Sequence, residues 1–329
     1  MASRAASGVK HVTQIRDLGV GGVAELLERA ERLRRAPPRD HLAGRLLGMV
    51  FFNPSLRTRT SFEAVMKRGG GDATVLEVGN GVWKLEDRDG VAMDGDRAEH
   101  VREAVPVLAR YCDALAVRAF SAGVSDADDE LDRVINAFRQ FSTVPVISME
   151  SAREHPCQGL ADMLTARDRF GATRGLPVTL TWAPHIKPLP KAVPNSFLLT
   201  AAAAGCEVRV AHPPGVELPA AVRAEADAYA REAGGSVDYG HDQDAALAGS
   251  RIVYAKAWGA PGDAALHGWM PTAAHLRRAA RDAIFMHCLP VRRDVEVAAA
   301  VLDSAQSAVV DEAENRFHAQ RALLDWVFN

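Results

Sequence analysis

Leu46-Leu47-Gly48-Met49-Val50-Phe51-Phe52 followed by Asn53-Pro54-Ser55-Leu56-Arg57-Thr58-Arg59 is the stretch from which this chain is best read. The first seven residues form an apolar run of strand length, and Asn53-Pro54 makes a turn. Ser55 has the hydroxyl of a helix N-cap, and a helical pattern runs from Arg57 to Arg68 until Gly69-Gly70-Gly71 stops it. Free backbone N–H groups, hydroxyls and two guanidinium groups therefore meet at the positive end of a helix. Arginines placed there oppose the helix dipole unless an anion is present, so the segment reads as a phosphate cradle. Guanidinium adds bidentate hydrogen bonding that an ammonium cannot supply.

The same strand-then-helix rhythm continues along the chain. Strands are expected at Thr74–Val78, Ala114–Arg118 and Val144–Met149, with helices over Glu99–Tyr111 and Asp128–Phe141. The second half repeats it: strands Val178–Trp182, Glu207–His212, Arg251–Lys256 and Ala283–Cys288, and helices Ser196–Ala204, Ala220–Ala233 and Glu314–Val327. Alternation of this kind predicts an α/β protein with two doubly wound domains and mainly parallel sheets. A boundary is expected in a helix near Ser151–Phe170. The expected division is 1–150, joined by the C-terminal helix from about 305 to 329, and 151–304.

The composition is that of an ordinary globular protein. The 329 residues are 48% hydrophobic and 25% charged, enough for two domains. A net charge of −3 argues against nucleic-acid or membrane partners, so the arginines are local devices. Four scattered cysteines without a CxxC pair suit a reducing cytoplasm. No apolar run reaches membrane-spanning length, and Met1–Gly8 is too short and polar for a secretory signal.

Parallel sheets bind ligands at the carboxyl ends of their strands, and the unusual residues fall there. Ser55–Arg59 follows the first strand and Arg118 ends another. Glu150 is followed by His155-Pro156-Cys157-Gln158. In the second half, Trp182–Asn195, Lys256-Ala257-Trp258-Gly259 and His287-Cys288-Leu289-Pro290 each follow a strand. A single histidine at a strand end is more often a hydrogen-bonded core residue, but six clusters at equivalent places point to one site.

Taken together and in this order, these motifs resemble the aspartate/ornithine carbamoyltransferase family over nearly the whole chain. The resemblance implies an active site in the interdomain cleft and no metal or other cofactor. It implies that Ser55, Leu56, Arg57, Thr58 and Arg118 bind the phosphate of carbamoyl phosphate, with Leu56 standing where the family usually has Thr. Thr58, Arg118 and His155 would polarise the carbonyl oxygen, while Gln158 and the Leu289 carbonyl hold the carbamoyl NH2. Pro156, Cys157, Cys288 and Arg316 match further carbamoyl-phosphate contacts. Trp83 matches a residue that reaches a neighbouring subunit's site, which implies a homotrimer with shared active sites.

The acceptor substrate is read from other residues. Ornithine enzymes carry an Asp and a Ser-Met-Gly motif near the position where this chain has Lys256-Ala257-Trp258-Gly259. An aspartate would pair with a free α-ammonium; a lysine suits a substrate whose α-nitrogen is acylated and which presents only carboxylates. The segments Gly81–Glu86, Met93–Asp96, Thr181–His185 and Pro188–Pro190 likewise resemble the N-acylornithine transcarbamylases of arginine biosynthesis. Glu150, Lys256, Arg292 and Leu289 match residues that hold the acylated amino acid. Acetylornithine enzymes carry Glu at the position of Ala98, and succinylornithine enzymes carry Pro. A carboxylate there would repel a succinyl carboxylate, and Ala98 lacks it. Glu296 stands where acetylornithine enzymes have Lys. The expected acceptor is N-succinyl-L-ornithine, with N-acetylornithine the alternative.

Other readings fit less well. A dinucleotide-binding enzyme would need GxGxxG after Val178–Trp182, where prolines stand instead. Asp94-Gly95-Asp96 with Glu99-His100 could be taken for a metal site, but an acidic helix entry explains it more simply. A non-catalytic carbamoyl-phosphate-binding paralogue would not need Arg57, Arg118, His155 and Gln158 together.

Overall fold

Strand β1 (Leu46–Phe51) lies inside a parallel sheet, buried along nearly its whole length, which is why it reads as an unbroken apolar run rather than an alternating one. The computed structural model describes residues 8–120, 125–259 and 268–329. Within them the chain forms two compact units. The first takes the N-terminal residues to Asp17, Arg29–Cys157 and Gln320–Asn329; the second takes Leu18–Glu28 and Gln158–Ala319. The division falls inside the last helix, between Ala319 and Gln320, so this helix is not given whole to the first unit.

In the first unit, β2 (Asp72–Glu77), β5 (Ala114–Arg118) and β6 (Val146–Glu150) join β1 in the order β2-β1-β5-β6, all parallel. The short strands β3 (Lys84–Glu86) and β4 (Arg97–His100) pair separately. Sequence order reverses between β1 and β5, where Phe51 is in register with Arg118. That is the topological switch point of a doubly wound sheet, where a crevice opens beyond the strands. Val50, Leu115, Val117, Phe138 and Val146 belong to the core cluster beneath it.

The second unit has five parallel strands, β7 (Pro177–Trp182), β8 (Glu207–Ala211), β9 (Ser236–Gly240), β10 (Ile252–Lys256) and β11 (Ile284–Met286), in the order β11-β10-β7-β8-β9. Its switch point lies between β7 and β10, where Trp182 is in register with Lys256. Gly159 explains how closely helices Pro156–Phe170 and Ala192–Ala203 approach: a Cβ there would lie 2.2 Å from the Thr200 hydroxyl and 2.8 Å from the Ser196 carbonyl oxygen.

Several elements differ from the sequence reading. The helix expected from Glu99 begins at Val101, because Arg97–His100 is drawn into β4 and the His100 ring caps the helix through the Arg102 N–H at 3.1 Å. The helix expected over Asp128–Phe141 is two helices, Asp126–Leu131 and Arg133–Phe141, divided at Asp132, whose φ of 42° is left-handed. Ser151 Oγ donates to the Asp132 carboxylate at 2.6 Å, a tertiary bond that no helical periodicity reveals. Strand β9 and helix Gly19–Arg35 were not anticipated; β9 is a short edge strand of mixed polarity. The last helix starts at Val309, so Arg316 lies in its second turn rather than at its opening.

Candidate active site

The Asn53–Arg59 segment, expected to cradle phosphate, follows β1 at the first switch point. Helix Arg57–Arg68 is assigned from Arg57, yet the Ser55 hydroxyl accepts the Thr58 N–H at 3.2 Å, so Ser55 performs the cap expected of it. Thr58 is buried and Arg57 half-buried, whereas the Leu56 side chain is 78% exposed and contributes only backbone to the turn. Asn53 ties this loop to the end of β5 by accepting the Phe120 N–H at 2.7 Å. A cavity of about 530 Å³ opens beside the loop, lined by Phe51 to Leu56 with Arg59, Glu77, Val78 and Asn80.

The two arginines of the motif part company. Arg59 pairs with Glu77 at 2.6 Å and Glu63 at 3.4 Å, a surface arrangement that answers its charge without an anion. The cradle reading therefore rests on Arg57 and not on Arg59.

Arg118 ends β5 as a buried cation. One terminal nitrogen donates to Glu150 at 2.6 Å, and the guanidinium lies 4.3 Å from the centre of the Phe120 ring. Its Nε is buried and has no hydrogen-bond partner among the described residues. A register shift in the β5–β6 pairing brings Glu150, rather than Met149, opposite Arg118. Such bulges re-aim side chains, and here the shift makes the ion pair. His155 Nε2 lies 3.9 Å from the same Glu150 carboxylate, so Glu150 stands between the two groups expected to polarise a carbonyl. The turn before His155 is fixed by Ser151 Oγ, which accepts the N–H groups of Arg153 and Glu154 at 3.1 Å each. Pro156 opens helix Pro156–Phe170 at the position where a missing N–H costs nothing, and Cys157 is buried, its Sγ 3.8 Å from the Ser148 carbonyl.

In the second unit, Gln158 is buried and its Nε2 donates to Asp162 at 2.8 Å and Glu312 at 2.9 Å. Glu312 also accepts the His287 N–H at 2.8 Å. Burial raises the pKa of both Asp162 and Glu312, making each a weaker acid than usual, and each carboxyl is held near the other. Cys288 and Arg316 are buried, and Leu289 has a left-handed φ of 56° with its N–H on His287 Nδ1 at 3.0 Å. Lys256, at the second switch point, lies 4.0 Å from the buried Glu296. Burial works against ionisation of Glu296, but His287 and Lys256 outweigh it and hold its carboxyl below the ordinary range. The exposed Arg292 donates its N–H to Glu296 at 2.8 Å, and its Nε lies 3.2 Å from His185 Nε2.

Trp83 and Ala98 lie together on the β3–β4 pair and its approach. Trp83 is 60% exposed, its indole N–H donating to Glu99 at 2.8 Å. Ala98 is exposed within β4, not at a helix start. The polar residues around it are occupied: Asp96 pairs with Lys84, Glu99 accepts from Trp83, and His100 caps the next helix. Among the described residues no group of His, Cys, Asp and Glu has the arrangement of a metal site. No described helix is long and apolar enough to cross a membrane.

The sequence reading missed Asp162, Glu312 and Asn53. Asp162 carried a local signal, four residues after Gln158 on one helix face. Glu312 carried none, being 154 positions away.

Comparison with known proteins agrees with this geometry. Residues 10–168 match the model of the aspartate/ornithine carbamoyltransferase carbamoyl-P binding domain, and residues 190–327 that of the Asp/Orn binding domain. An N-acetylornithine carbamoyltransferase of Xanthomonas campestris is 40% identical, the match covering 96% of this chain and 97% of the relative. An N-succinylornithine carbamoyltransferase of Bacteroides thetaiotaomicron is 41% identical over 82% of this chain and 83% of its own. A crystal structure of N-acetyl-L-ornithine transcarbamylase with one glutamate replaced by alanine, complexed with carbamyl phosphate and N-succinyl-L-norvaline, superposes with a TM-score of 0.91. It is 38% identical, covering 97% of this chain and all of that one. With both domain models matched along its length, the chain belongs to the aspartate/ornithine carbamoyltransferase family and is a carbamoyl-transferring enzyme.

Proposed function

We propose that this enzyme transfers the carbamoyl group of carbamoyl phosphate to the δ-amine of N-succinyl-L-ornithine, giving N-succinyl-L-citrulline and phosphate, in arginine biosynthesis. The observation that carries the substrate class is Lys256. It is a buried ammonium at the carboxyl end of β10, where a free α-ammonium would meet a like charge and a carboxylate-bearing acylated substrate would not. Ala98 supports the succinyl assignment, since no carboxylate stands there to repel a second one. The neutralised-glutamate variant of the acetyl enzyme, solved with N-succinyl-L-norvaline, supports the same reasoning. N-acetylornithine is the second reading, favoured by the relative that matches this chain almost end to end.

The neutral δ-amine attacks the carbonyl carbon of carbamoyl phosphate, the bond to the phosphate oxygen breaks, and the attacking nitrogen loses a proton. Holding the reactants together and stabilising the developing oxyanion are the enzyme's main tasks. Ser55, Leu56, Arg57, Thr58 and Arg118 bind the phosphate, with Arg316 and Trp83 as further contacts. Thr58, Arg118 and His155 polarise the carbonyl oxygen, and Glu150 orients Arg118 besides binding the acceptor. Gln158 and the Leu289 carbonyl hold the carbamoyl NH2; Pro156, Cys157 and Cys288 shape that end. Lys256 and Arg292 bind the acceptor's carboxylates. The exposed Trp83 supports a homotrimer in which it serves a neighbouring subunit's site, and four buried cysteines without a disulfide support a cytoplasmic location. The test is a purified-enzyme assay with ornithine, N-acetylornithine and N-succinylornithine at equal concentration. N-succinylornithine is expected to be the best acceptor and ornithine essentially inert; robust citrulline formation from ornithine would remove the substrate class.

A further inference from the structure

Behind Gln158 lies a buried polar group that the scheme above does not use. Asp162 and Glu312 are both fully buried, and both accept from the one Gln158 amide nitrogen. Glu312 spends its other oxygen on the His287 N–H at 2.8 Å. Arg316 and Tyr254 are the other titratable side chains facing this pair, and Cys288 lies beside Tyr254. Two like charges this close and this deep cannot both persist, so the carboxyls hold one proton between them. Even with that proton, oxygen acceptors remain towards Gln158, and its amide satisfies them only by presenting NH2. Turned about, Oε1 could accept at most the one shared proton and would face the other carboxyl's oxygen with no hydrogen between them. The opposite end of the amide is therefore oxygen, and Gln158 Oε1 is buried with no partner among the described residues. A buried acceptor left unsatisfied is costly unless a ligand donates to it.

We infer that Asp162 and Glu312 are positioning residues that lock the Gln158 amide with its oxygen outward, so that the site selects an acyl phosphate carrying an N–H donor over one carrying a methyl group. The inference rests on the proposed role of Gln158 towards the carbamoyl NH2. It assigns discrimination between carbamoyl phosphate and acetyl phosphate, which differ by NH2 against CH3, to a pair of carboxyls that touch neither.

The experiment measures KM for carbamoyl phosphate and the inhibition constant of acetyl phosphate against it, and follows their ratio. The wild type is expected to favour carbamoyl phosphate at least tenfold, since a site built to accept a donor rejects the analogue lacking it. Asp162→Asn can keep the lock, its oxygen accepting from Gln158 and its amide N–H replacing the shared proton, so the ratio should stay within about threefold. Glu312→Gln sets an NH2 against either Gln158 or the His287 N–H. Gln158 then turns, and the ratio should fall at least tenfold. Asp162→Leu removes one acceptor at similar volume and should lower the ratio at least threefold, which gives a reading should Glu312→Gln fold poorly. A merely structural role would weaken both ligands together and leave the ratio alone; that result in Glu312→Gln or Asp162→Leu overturns the inference. A wild type that transfers carbamoyl yet binds both acyl phosphates alike overturns it too, while leaving the proposed function standing. Absence of carbamoyl transfer to any acceptor would instead sink the proposed function.

Discussion

Arg118→Met tests the ion pair at the first switch point. Arg118 and Glu150 meet at 2.6 Å with side chains only 10% and 12% exposed. Removing one partner of such a buried pair leaves a charge with little solvent, which costs about 3–5 kcal/mol. The lower end applies here, because each side chain keeps about a tenth of its surface exposed. Loss of the guanidinium from the face of Phe120, 4.3 Å away, adds up to about 1 kcal/mol, partly recovered by thioether contact with the ring. A total near 3 kcal/mol is expected from urea unfolding of the ligand-free protein at pH 7. The double variant Arg118→Met, Glu150→Gln should lose only about 1 kcal/mol, about 2 kcal/mol less than the single variant, because no orphaned charge remains. Equal losses in single and double variants would refute this account.

Three further outcomes are expected. Arg57→Ala should lower kcat/KM about thirtyfold or more, equivalent to about 2 kcal/mol of transition-state stabilisation, with little change in urea midpoint; an unchanged rate would remove the cradle. Ala98→Glu should shift the kcat/KM ratio from N-succinyl- towards N-acetylornithine about tenfold, half of the roughly 3 kcal/mol repulsion of two charges about 5 Å apart at an effective dielectric near 20. Equal loss for both substrates would end the succinyl assignment. Glu86 is held at about 2, chiefly by its hydrogen bonds to Arg88, against an ordinary 4.5. Its contribution to stability is therefore present above pH 4.5 and lost as pH falls towards 2, so Glu86→Gln should flatten the acid limb of a stability–pH curve.

What could be read from the sequence is what a short stretch of backbone determines. The run Leu46–Phe52, its turn and the Ser55 cap lie within one strand–turn–helix unit, so local sterics are enough to place a capped helix N-terminus there. Lys256 and His155 were legible for the same reason: each ends or follows a strand, and parallel sheets put such residues at one edge. What only the tertiary structure decided involves partners far apart in the chain. Arg59 looks identical to Arg57 in sequence, yet Glu77, eighteen positions away on β2, takes its charge. The bulge that sets Glu150 against Arg118 depends on how β5 and β6 pair. Asp132 breaks a helical pattern because Ser151 reaches it. Gln158 gives its amide nitrogen to Asp162, four residues on, and to Glu312, 154 residues on. Periodicity and motif spacing report on neighbours within a turn or a strand; a buried charge is decided by whatever the sheet order brings beside it.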